Sequence, residues 1–258
     1  MLLLQDKNIA IFLSQKTDGD MLFKSRGART YADWTLTDAD KINEKVRQNR
    51  ISFFKKNNID PSRLVNLAGV HGAKIDTITR DSMLGSGALD PETRIKGVDG
   101  LITNIRTSYL MVTGADCFPV LLFDEKKKVI AALHAGWKGI LVEIAPHAIK
   151  KFKEEFASNP KDIKVWIGPG IKKCHYDVSK ERADLFSKNY KKYIINRDGK
   201  IFLDLPKIII LQLNEAGIKP ENIIEYPDCT FCEAGKYFYY RRDRPRYIES
   251  QAFIIHLK

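Results

Sequence analysis

The sequence predicts a single α/β (α+β) domain covering residues 1–258 and built on mixed β-sheet. Segments with the apolar pattern of strands alternate along the whole chain with segments of helical periodicity, which is typical of this class. Short turns and longer crossovers both join neighbouring strands, which favours a mixed sheet. The chain has no internal repeat and no low-complexity linker, so nothing in it indicates a second domain.

The N-terminal half opens with a predicted strand at residues 8–13. A helix is expected from Asp38, with Thr37 or Asp38 as its N-cap, and Ile42 and Val46 begin its apolar face. Further strands are predicted at residues 63–70, 98–103 and 109–112. The polar segment 76–97 has the length of a functional loop, and we expect it to be a lid.

The C-terminal half repeats this alternation. Apolar residues recur every four positions after Gly139, which predicts a helix in which Pro146 marks a kink or the true first turn. Two more helices are expected, capped by Ser179 and Asp204. Strands are predicted at residues 162–167, 222–226 and 252–257.

Two apolar runs, residues 117–124 and 129–135, are separated by a short charged turn and predict an antiparallel hairpin. Cys117 begins the first run and His134 ends the second. Pairing of the two strands would place these residues side by side. A third group must come from elsewhere, and His71, just beyond the strand at 63–70, is the candidate.

A cysteine thiolate with two imidazoles is a known ligand set of catalytic zinc, which keeps a fourth position open for water or substrate. His71, Cys117 and His134 each lie next to a small or turn residue, which leaves space for a ligand. Their spacing is not itself a metal motif, and a buried cysteine with two solvent-facing histidines is the alternative. Asp116 could accept a hydrogen bond from a ligating imidazole, act as a general base, or bond its own turn.

The other three cysteines have weaker signals. Cys229 and Cys232 form a CxxC pair, but no second CxxC exists to complete a zinc site, so we interpret the pair as structural. Cys174 and His175 are a neighbouring pair for which a catalytic role is an alternative. Arg241 and Arg242 could bind phosphate or carboxylate, or belong to a solvated charge run that continues to Arg246.

The formal net charge of +11 favours anionic partners, although the lysines are scattered along the chain among acidic residues. No zinc-finger or RNA-binding signature is present, so nucleic acid is not the expected partner. No apolar run approaches the roughly 20 residues of a membrane helix, and residues 1–7 do not form a signal peptide. We expect a cytoplasmic monomer.

Short motifs occur in a fixed order between residues 37 and 245. They are Val-His-Gly at 70–72, Val-Asp-Gly at 98–100, Ala-Asp-Cys-Phe-Pro at 115–119, His-Ala-Gly-Trp-Lys-Gly at 134–139, Ile-Gly-Pro-Gly at 167–170, Cys-His-Tyr-Asp-Val at 174–178 and Tyr-Arg-Arg-Asp at 240–243. In these motifs the chain resembles the laccase-domain, or multicopper polyphenol oxidase, family. Members of that family are also described as purine nucleoside phosphorylases with adenosine deaminase activity.

The resemblance implies a central β-sandwich of mixed sheets flanked by helices. It implies a zinc site at His71, Cys117 and His134, and a purine nucleoside and phosphate as substrates, with methylthioadenosine as a further one. Catalytic roles would fall on Cys117, Asp116 and Arg241. Binding of phosphate or substrate would fall on Arg241, Arg242, Asn49 and Arg50.

Three other functions stay open at this stage. Copper could replace zinc in an oxidase of phenols, but multicopper chemistry needs many histidines and this chain has five. Cys117 could instead be a nucleophile with His71 or His134 as its base, in an amidase that acts on muropeptide-type substrates. A nucleic-acid binder using the basic surface would bind oligonucleotides with strong salt dependence.

Overall fold

The computed structural model describes residues 1–5, 7–24, 36–243 and 247–258. Its strands are β1 (Leu2–Gln5), β2 (Ile9–Leu13), β3 (Leu64–Ala68), β4 (Ile75–Thr77), β5 (Ile95–Lys96), β6 (Gly100–Thr103), β7 (Tyr109–Gly114), β8 (Phe118–Asp124), β9 (Val129–Ala135), β10 (Ile163–Ile167), β11 (Asp177–Val178), β12 (Ile194–Arg197), β13 (Lys200–Leu203), β14 (Ile223–Glu225) and β15 (Gln251–Leu257). Its helices are α1 (Leu36–Lys56), α2 (Trp137–Leu141), α3 (Ile144–Phe156), α4 (Lys180–Tyr190), α5 (Leu205–Glu215) and α6 (Tyr240–Asp243).

The strands form two large sheets and one small one. The first sheet has the order β1-β2-β15-β7-β3-β5 and the second has the order β14-β10-β8-β9-β6-β4. The small sheet has the order β11-β13-β12. Both large sheets are mixed, because β3 is parallel to its two neighbours in the first, and β4 and β14 run parallel to theirs in the second.

Apolar side chains fill the space between the two large sheets and cover their outer faces. Leu13 and Phe253 of the first sheet and Phe123 of the second belong to the core between them. Helix α1 covers the outer face of the first sheet with Phe53 and Phe54, while α2, α3 and α5 cover the second. The layers are therefore helix, sheet, sheet, helix, which confirms the predicted fold class and the sandwich implied by the resemblance.

The β8–β9 hairpin forms as predicted, with Phe118 paired to Ala135 at its open end and Asp124 to Val129 at its turn. All residues of both strands are buried, because one face packs against the first sheet and the other against the helices. The Asp124 carboxylate accepts hydrogen bonds from the amides of Lys126 and Lys127, which closes the charged turn.

Two predicted elements differ in detail. The helix after Gly139 is divided into α2 and α3 at Glu143, whose φ is +60°, and Pro146 lies in the first turn of α3, one of the two alternatives. Ser179 caps α4, with its hydroxyl accepting from the Arg182 amide. The Asp204 side chain does not cap α5 and instead pairs with Lys173 at 2.9 Å.

The prediction of a lid at residues 76–97 is wrong, because this segment is folded and held to the body of the protein. The segment contains most of β4, all of β5 and two 3₁₀ turns. The carbonyl oxygens of Gly87 and Ala88 accept hydrogen bonds from the buried Arg50 guanidinium of α1, and Arg94 is itself buried and donates to Phe23. Two buried cations tie this segment to the body of the protein.

No helix among the described residues is both long enough and apolar enough to cross a membrane. The cytoplasmic location, the monomeric state and the single-domain boundary stay predictions of the sequence.

Candidate metal centre

His71, Cys117 and His134 converge at one end of the sandwich. Cys117 immediately precedes β8, and His134 lies opposite Pro119 in the hairpin, so strand pairing brings these two together as predicted. His71 arrives from the loop after β3. One ligand atom from each residue, the Cys117 sulfur and one ring nitrogen of each histidine, lies within 4.8 Å of the other two.

Residues 70–72 hold His71 in position through an unusual backbone. The φ of His71 is +61°, a left-handed conformation that is uncommon for residues other than glycine. The amides of Val70, His71 and Gly72 all donate to the carboxylate of Asp99, at 3.1, 2.9 and 2.6 Å. The hydrogen bonds to Asp99 therefore hold the strained loop that carries the first ring.

Asp99 also orients the second ring. Its Oδ1 lies 2.9 Å from Nδ1 of His134, and Asp99 itself is fully buried. A carboxylate on Nδ1 leaves Nε2 as the nitrogen that is free to bind a metal. The sequence offers Asp116 as a partner for a ligating imidazole, but Asp99 takes that position. Asp99 lies in the Val-Asp-Gly motif at 98–100, but nothing in that motif predicts a contact with His134.

Cys117 lies between the two imidazoles. Burial would raise the pKa of its thiol, but the adjacent His134 and His71 rings outweigh burial and lower the pKa to about 6. Burial likewise would lower the pKa of His134, but the Cys117 sulfur and Asp99 raise it to about 10. The sulfur is therefore held as a thiolate, the form that binds metals and attacks electrophiles.

Gly136 leaves the space that the cluster needs. A Cβ at this position would lie 3.0 Å from the Cys117 sulfur and 3.1 Å from a carbon of the His71 ring. The cluster is open on one side, since His71 is exposed while Cys117 and His134 are largely covered. One thiolate and two imidazoles with an open side fit the donor set and coordination of catalytic zinc.

The Asp116 carboxylate is bonded to residues distant in the chain, and its recorded hydrogen bonds go neither to an imidazole nor to its own turn. Its Oδ1 accepts the Thr230 hydroxyl at 2.8 Å, and its Oδ2 accepts the amides of Tyr240 and Arg241 at 3.0 and 2.8 Å. Burial raises the pKa of Asp116, and these hydrogen bonds oppose that rise. The Asp116 carboxylate therefore holds the start of α6 close to Cys117.

The backbone of Arg241 is held by Asp116, the residue before Cys117, and its side chain contacts Asp177 and Tyr176. Its guanidinium donates to the carbonyl oxygen of Asp177 and lies 3.6 Å from the Asp177 carboxylate. The side chain of Arg242 lies outside the described part of the chain.

Sequence reasoning did not single out Tyr176 or Arg182. Arg182 is 3.4 Å from the Tyr176 hydroxyl, and Arg241 faces the Tyr176 ring at 5.5 Å from its centroid. Two cations therefore flank one buried tyrosine.

The structure contradicts a phosphate-binding role for Arg50. Its side chain is fully buried, and its N–H groups donate to Met21, Gly87, Ala88 and Asn66. These bonds use all five donors of the guanidinium, so none is left for a substrate. Asn49 donates to the carbonyl oxygen of Asp20 at 3.0 Å and also acts within the scaffold.

A second cluster joins two pairs that the sequence analysis treated separately. The ligand atoms of Cys174, His175, Cys229 and Cys232 lie within 4.8 Å of one another. All four cysteines of the chain are free thiols.

The fold and the first cluster define an α/β/β/α protein with a cysteine–histidine centre that is open to solvent. The chain belongs to the multi-copper polyphenol oxidoreductase laccase family, whose sequence model matches residues 25–257.

Curated relatives in this family carry enzyme names. A purine nucleoside phosphorylase of Clostridium acetobutylicum is 40% identical over 157 residues, which are 60% of this chain and 65% of that protein. The chain thus matches just under two thirds of that relative's length. The purine nucleoside phosphorylase YlmD of Geobacillus stearothermophilus is 34% identical over 190 residues, 72% of this chain and 69% of the relative. An adenosine deaminase RL5 from an unknown prokaryote is 28% identical over 204 residues, 77% of each chain.

Solved structures share the fold. The hypothetical protein YfiH of Bacillus licheniformis superposes with a TM-score of 0.83 at 27% identity, over 97% of this chain and 93% of that one. The crystal structure of YlmD from Geobacillus stearothermophilus gives 0.81 at 28% identity, over 98% and 93%.

Proposed function

We propose that this protein is a zinc-dependent purine nucleoside phosphorylase. The observation that supports the proposal best is the convergence of His71, Cys117 and His134, with Asp116 and Arg241 beside them. The names of its relatives support the same reaction.

Zinc, when bound, supplies a Lewis acid with one open position at this centre. His71, Cys117 and His134 are the residues that would hold it. The donor set argues for zinc over a multicopper centre, because the chain has only five histidines and His256 is stacked on Tyr109, in the first sheet.

In phosphorolysis a phosphate oxygen forms a bond to C1′ of the ribose while the C1′–N9 bond breaks, and the electron pair leaves with the purine. The phosphate must therefore be held close to C1′. Arg241 and Arg182, on either side of Tyr176, are the described cations placed for that task. A guanidinium can bind two phosphate oxygens at once. Asp116 holds the Arg241 backbone and so positions the side chain.

Deamination of adenosine is a second candidate activity, favoured by the adenosine deaminase relative. It replaces the amino group at C6 with an oxygen from water and releases ammonia. Burial raises the pKa of Asp116, so this carboxyl binds a proton more readily than an ordinary aspartate and could carry one if it exchanges one of its present hydrogen bonds. Methylthioadenosine is a further nucleoside to test for phosphorolysis.

The test is chromatography of adenosine, inosine and methylthioadenosine after incubation with zinc-loaded protein, with and without phosphate. We expect free purine base only when phosphate is present, and inosine from adenosine in both cases. Cys117→Ala should abolish both products. Arg241→Ala should raise the KM for phosphate roughly tenfold or more, whereas the exposed Arg80→Ala should not. Absence of purine base from the wild-type reaction with phosphate would rule out the phosphorylase.

The same preparation separates the remaining alternatives. A copper oxidase would consume oxygen with a phenol and would contain several copper atoms per chain. A cysteine-dependent amidase would keep its activity after zinc is chelated and would lose it when Cys117 is alkylated. The phosphorylase should instead lose its activity when zinc is chelated and regain it when zinc is added back.

A further inference from the structure

Three cysteines and one histidine meet in a second cluster, which is separate from His71, Cys117 and His134. Cys174 and His175 follow β10 and precede β11. Cys229 and Cys232 lie in the segment between β14 and α6. A backbone bridge between Gly170 and Cys229, with the Thr230 amide donating to Gly170 at 3.1 Å, brings the two segments together.

The distances fit a metal site and not a disulfide. The sulfurs of Cys174 and Cys232 are 3.7 Å apart, and the Cys232 sulfur is 3.3 Å from Nδ1 of His175. A disulfide would need a separation of about 2.05 Å. Two thiolates on one tetrahedral zinc, each bound at ~2.3 Å, lie ~3.8 Å apart.

The local structure prepares the ligands. The Lys172 amide lies 3.4 Å from the Cys229 sulfur and donates to it, which favours the thiolate. The ring of Phe231, inside the CxxC turn, stacks on His175 with centroids 4.1 Å apart. That stacking fixes the imidazole with Nδ1 towards Cys232. The spacing of Cys229 and Cys232 is that of a zinc-binding turn.

We propose that Cys174, His175, Cys229 and Cys232 bind one zinc ion in a closed structural site. Four protein ligands complete a tetrahedron and leave no position for substrate. This distinguishes the second site from the first, which has three ligands and an open side. The sequence offered only one CxxC, and the missing two ligands come from a pair more than fifty residues earlier.

The position of the site indicates what it stabilises. Thr230, between the two cysteines of the CxxC turn, donates to Asp116. Tyr176 and Asp177 follow His175 directly, and Asp177 accepts from Arg241. A metal that joins the two segments would therefore hold Asp116, Tyr176 and Arg241 in place beside the first centre.

The experiment uses a variant in which His71, Cys117 and His134 are all changed to alanine, so that the first centre cannot contribute metal. Reduced protein is incubated with zinc sulfate, freed of unbound ion and analysed by elemental mass spectrometry. We expect about one zinc per chain. Adding Cys174→Ser and Cys229→Ser should bring the content to zero, whereas adding His147→Ala, at an exposed histidine on α3, should leave it unchanged.

Cobalt provides a second measurement that does not depend on the folding of the cysteine variants. Cobalt in the triple-alanine variant should give the visible bands of a tetrahedral ion and a strong near-ultraviolet band from thiolate-to-metal charge transfer. A triple-alanine variant that is folded by circular dichroism but retains no zinc and gives no such bands would overturn the proposal. So would a Cys174–Cys232 disulfide in peptide maps of freshly purified wild-type protein. Neither result depends on enzyme activity, so the proposed phosphorylase stands or fails separately.

Discussion

The carboxylate of Asp99 orients His134 through a contact of 2.9 Å between Oδ1 and Nδ1, and it also accepts the backbone amide of His71. One buried side chain thus positions two of the three ligands of the candidate centre. Asp99→Asn should lower the zinc affinity of this centre by 10- to 100-fold, roughly the effect of removing a partner of a ligating histidine. Competition with a chromophoric chelator measures it.

The control for that substitution is Asp198→Asn, at a carboxylate that is 90% exposed. We expect its zinc affinity to equal that of the wild type. An Asp99→Asn protein with unchanged affinity would show that the imidazoles are positioned without the carboxylate. To exclude the second site from the measurement, both variants and their reference protein carry Cys174→Ser and Cys229→Ser.

Gly136 is predicted to be required for metal binding and not for folding. In Gly136→Ala the new methyl group would lie 3.0 Å from the Cys117 sulfur and 3.1 Å from the His71 ring, so a ligand must move. Zinc affinity should fall roughly tenfold or more, with a small change in the urea midpoint. Gly235→Ala is the matched control, because a Cβ there meets nothing within 4 Å. Equal affinities in the two variants would contradict the prediction.

Arg50 is predicted to act in stability. Arg50→Lys removes most of the five hydrogen bonds to buried acceptors and should lower the free energy of unfolding by about 3 kcal/mol or more. Urea denaturation measures the loss. Arg47→Lys, one turn earlier on a partly exposed side chain, should cost little. If Arg50 bound phosphate instead, its replacement would raise the KM for phosphate in a protein of normal stability.

His256 should make stability depend on pH. Its ring is stacked on Tyr109 at 3.8 Å between centroids, and its Nε2 has no hydrogen-bond partner among the described residues. Burial, and next the nearby Lys258, lower its pKa from 6.5 to about 4. Between pH 4 and pH 6.5, His256 therefore binds a proton more readily in the unfolded chain than in the folded chain. The contribution to stability is fully present above pH 6.5 and is lost as the pH falls towards 4.

Urea midpoints measured from pH 7 to pH 4.5 give the test. The wild-type midpoint should fall more steeply than that of His256→Phe, which keeps the aromatic stacking and cannot titrate. His147→Phe, at an exposed histidine, should follow the wild type. Parallel curves for the wild type and His256→Phe would show that His256 does not contribute.

The hairpin could be predicted from the sequence because its signals are local. Two apolar runs with a charged turn between them define β8 and β9, and strand pairing then requires that Cys117 and His134 meet. His71 could be proposed as the third member because it follows a strand directly. These inferences needed only two continuous apolar runs, the turn between them and the geometry of an antiparallel pair.

Other parts of the site depended on contacts between distant segments. Asp99 and His134 are 35 residues apart, and the Val-Asp-Gly motif that contains Asp99 does not show which residue the carboxylate contacts. Arg50 lies one position after Asn49 on the predicted helix, yet burial of its guanidinium decides that it holds carbonyl groups and not substrate. Hydrophobic periodicity does not encode such hydrogen bonds.

The sequence by itself determined the α/β class and most strands and helices, and it offered the trio His71, Cys117 and His134 as a hypothesis. Only the tertiary structure decided that Asp99 supports this trio, that Asp116 binds the start of α6, and that Cys174 and His175 join Cys229 and Cys232. The physical reason is the separation along the chain over which each kind of interaction acts. Apolar periodicity and turn chemistry act between neighbouring residues, whereas a buried carboxylate or a set of metal-type ligands is completed only when the sheets close over their core.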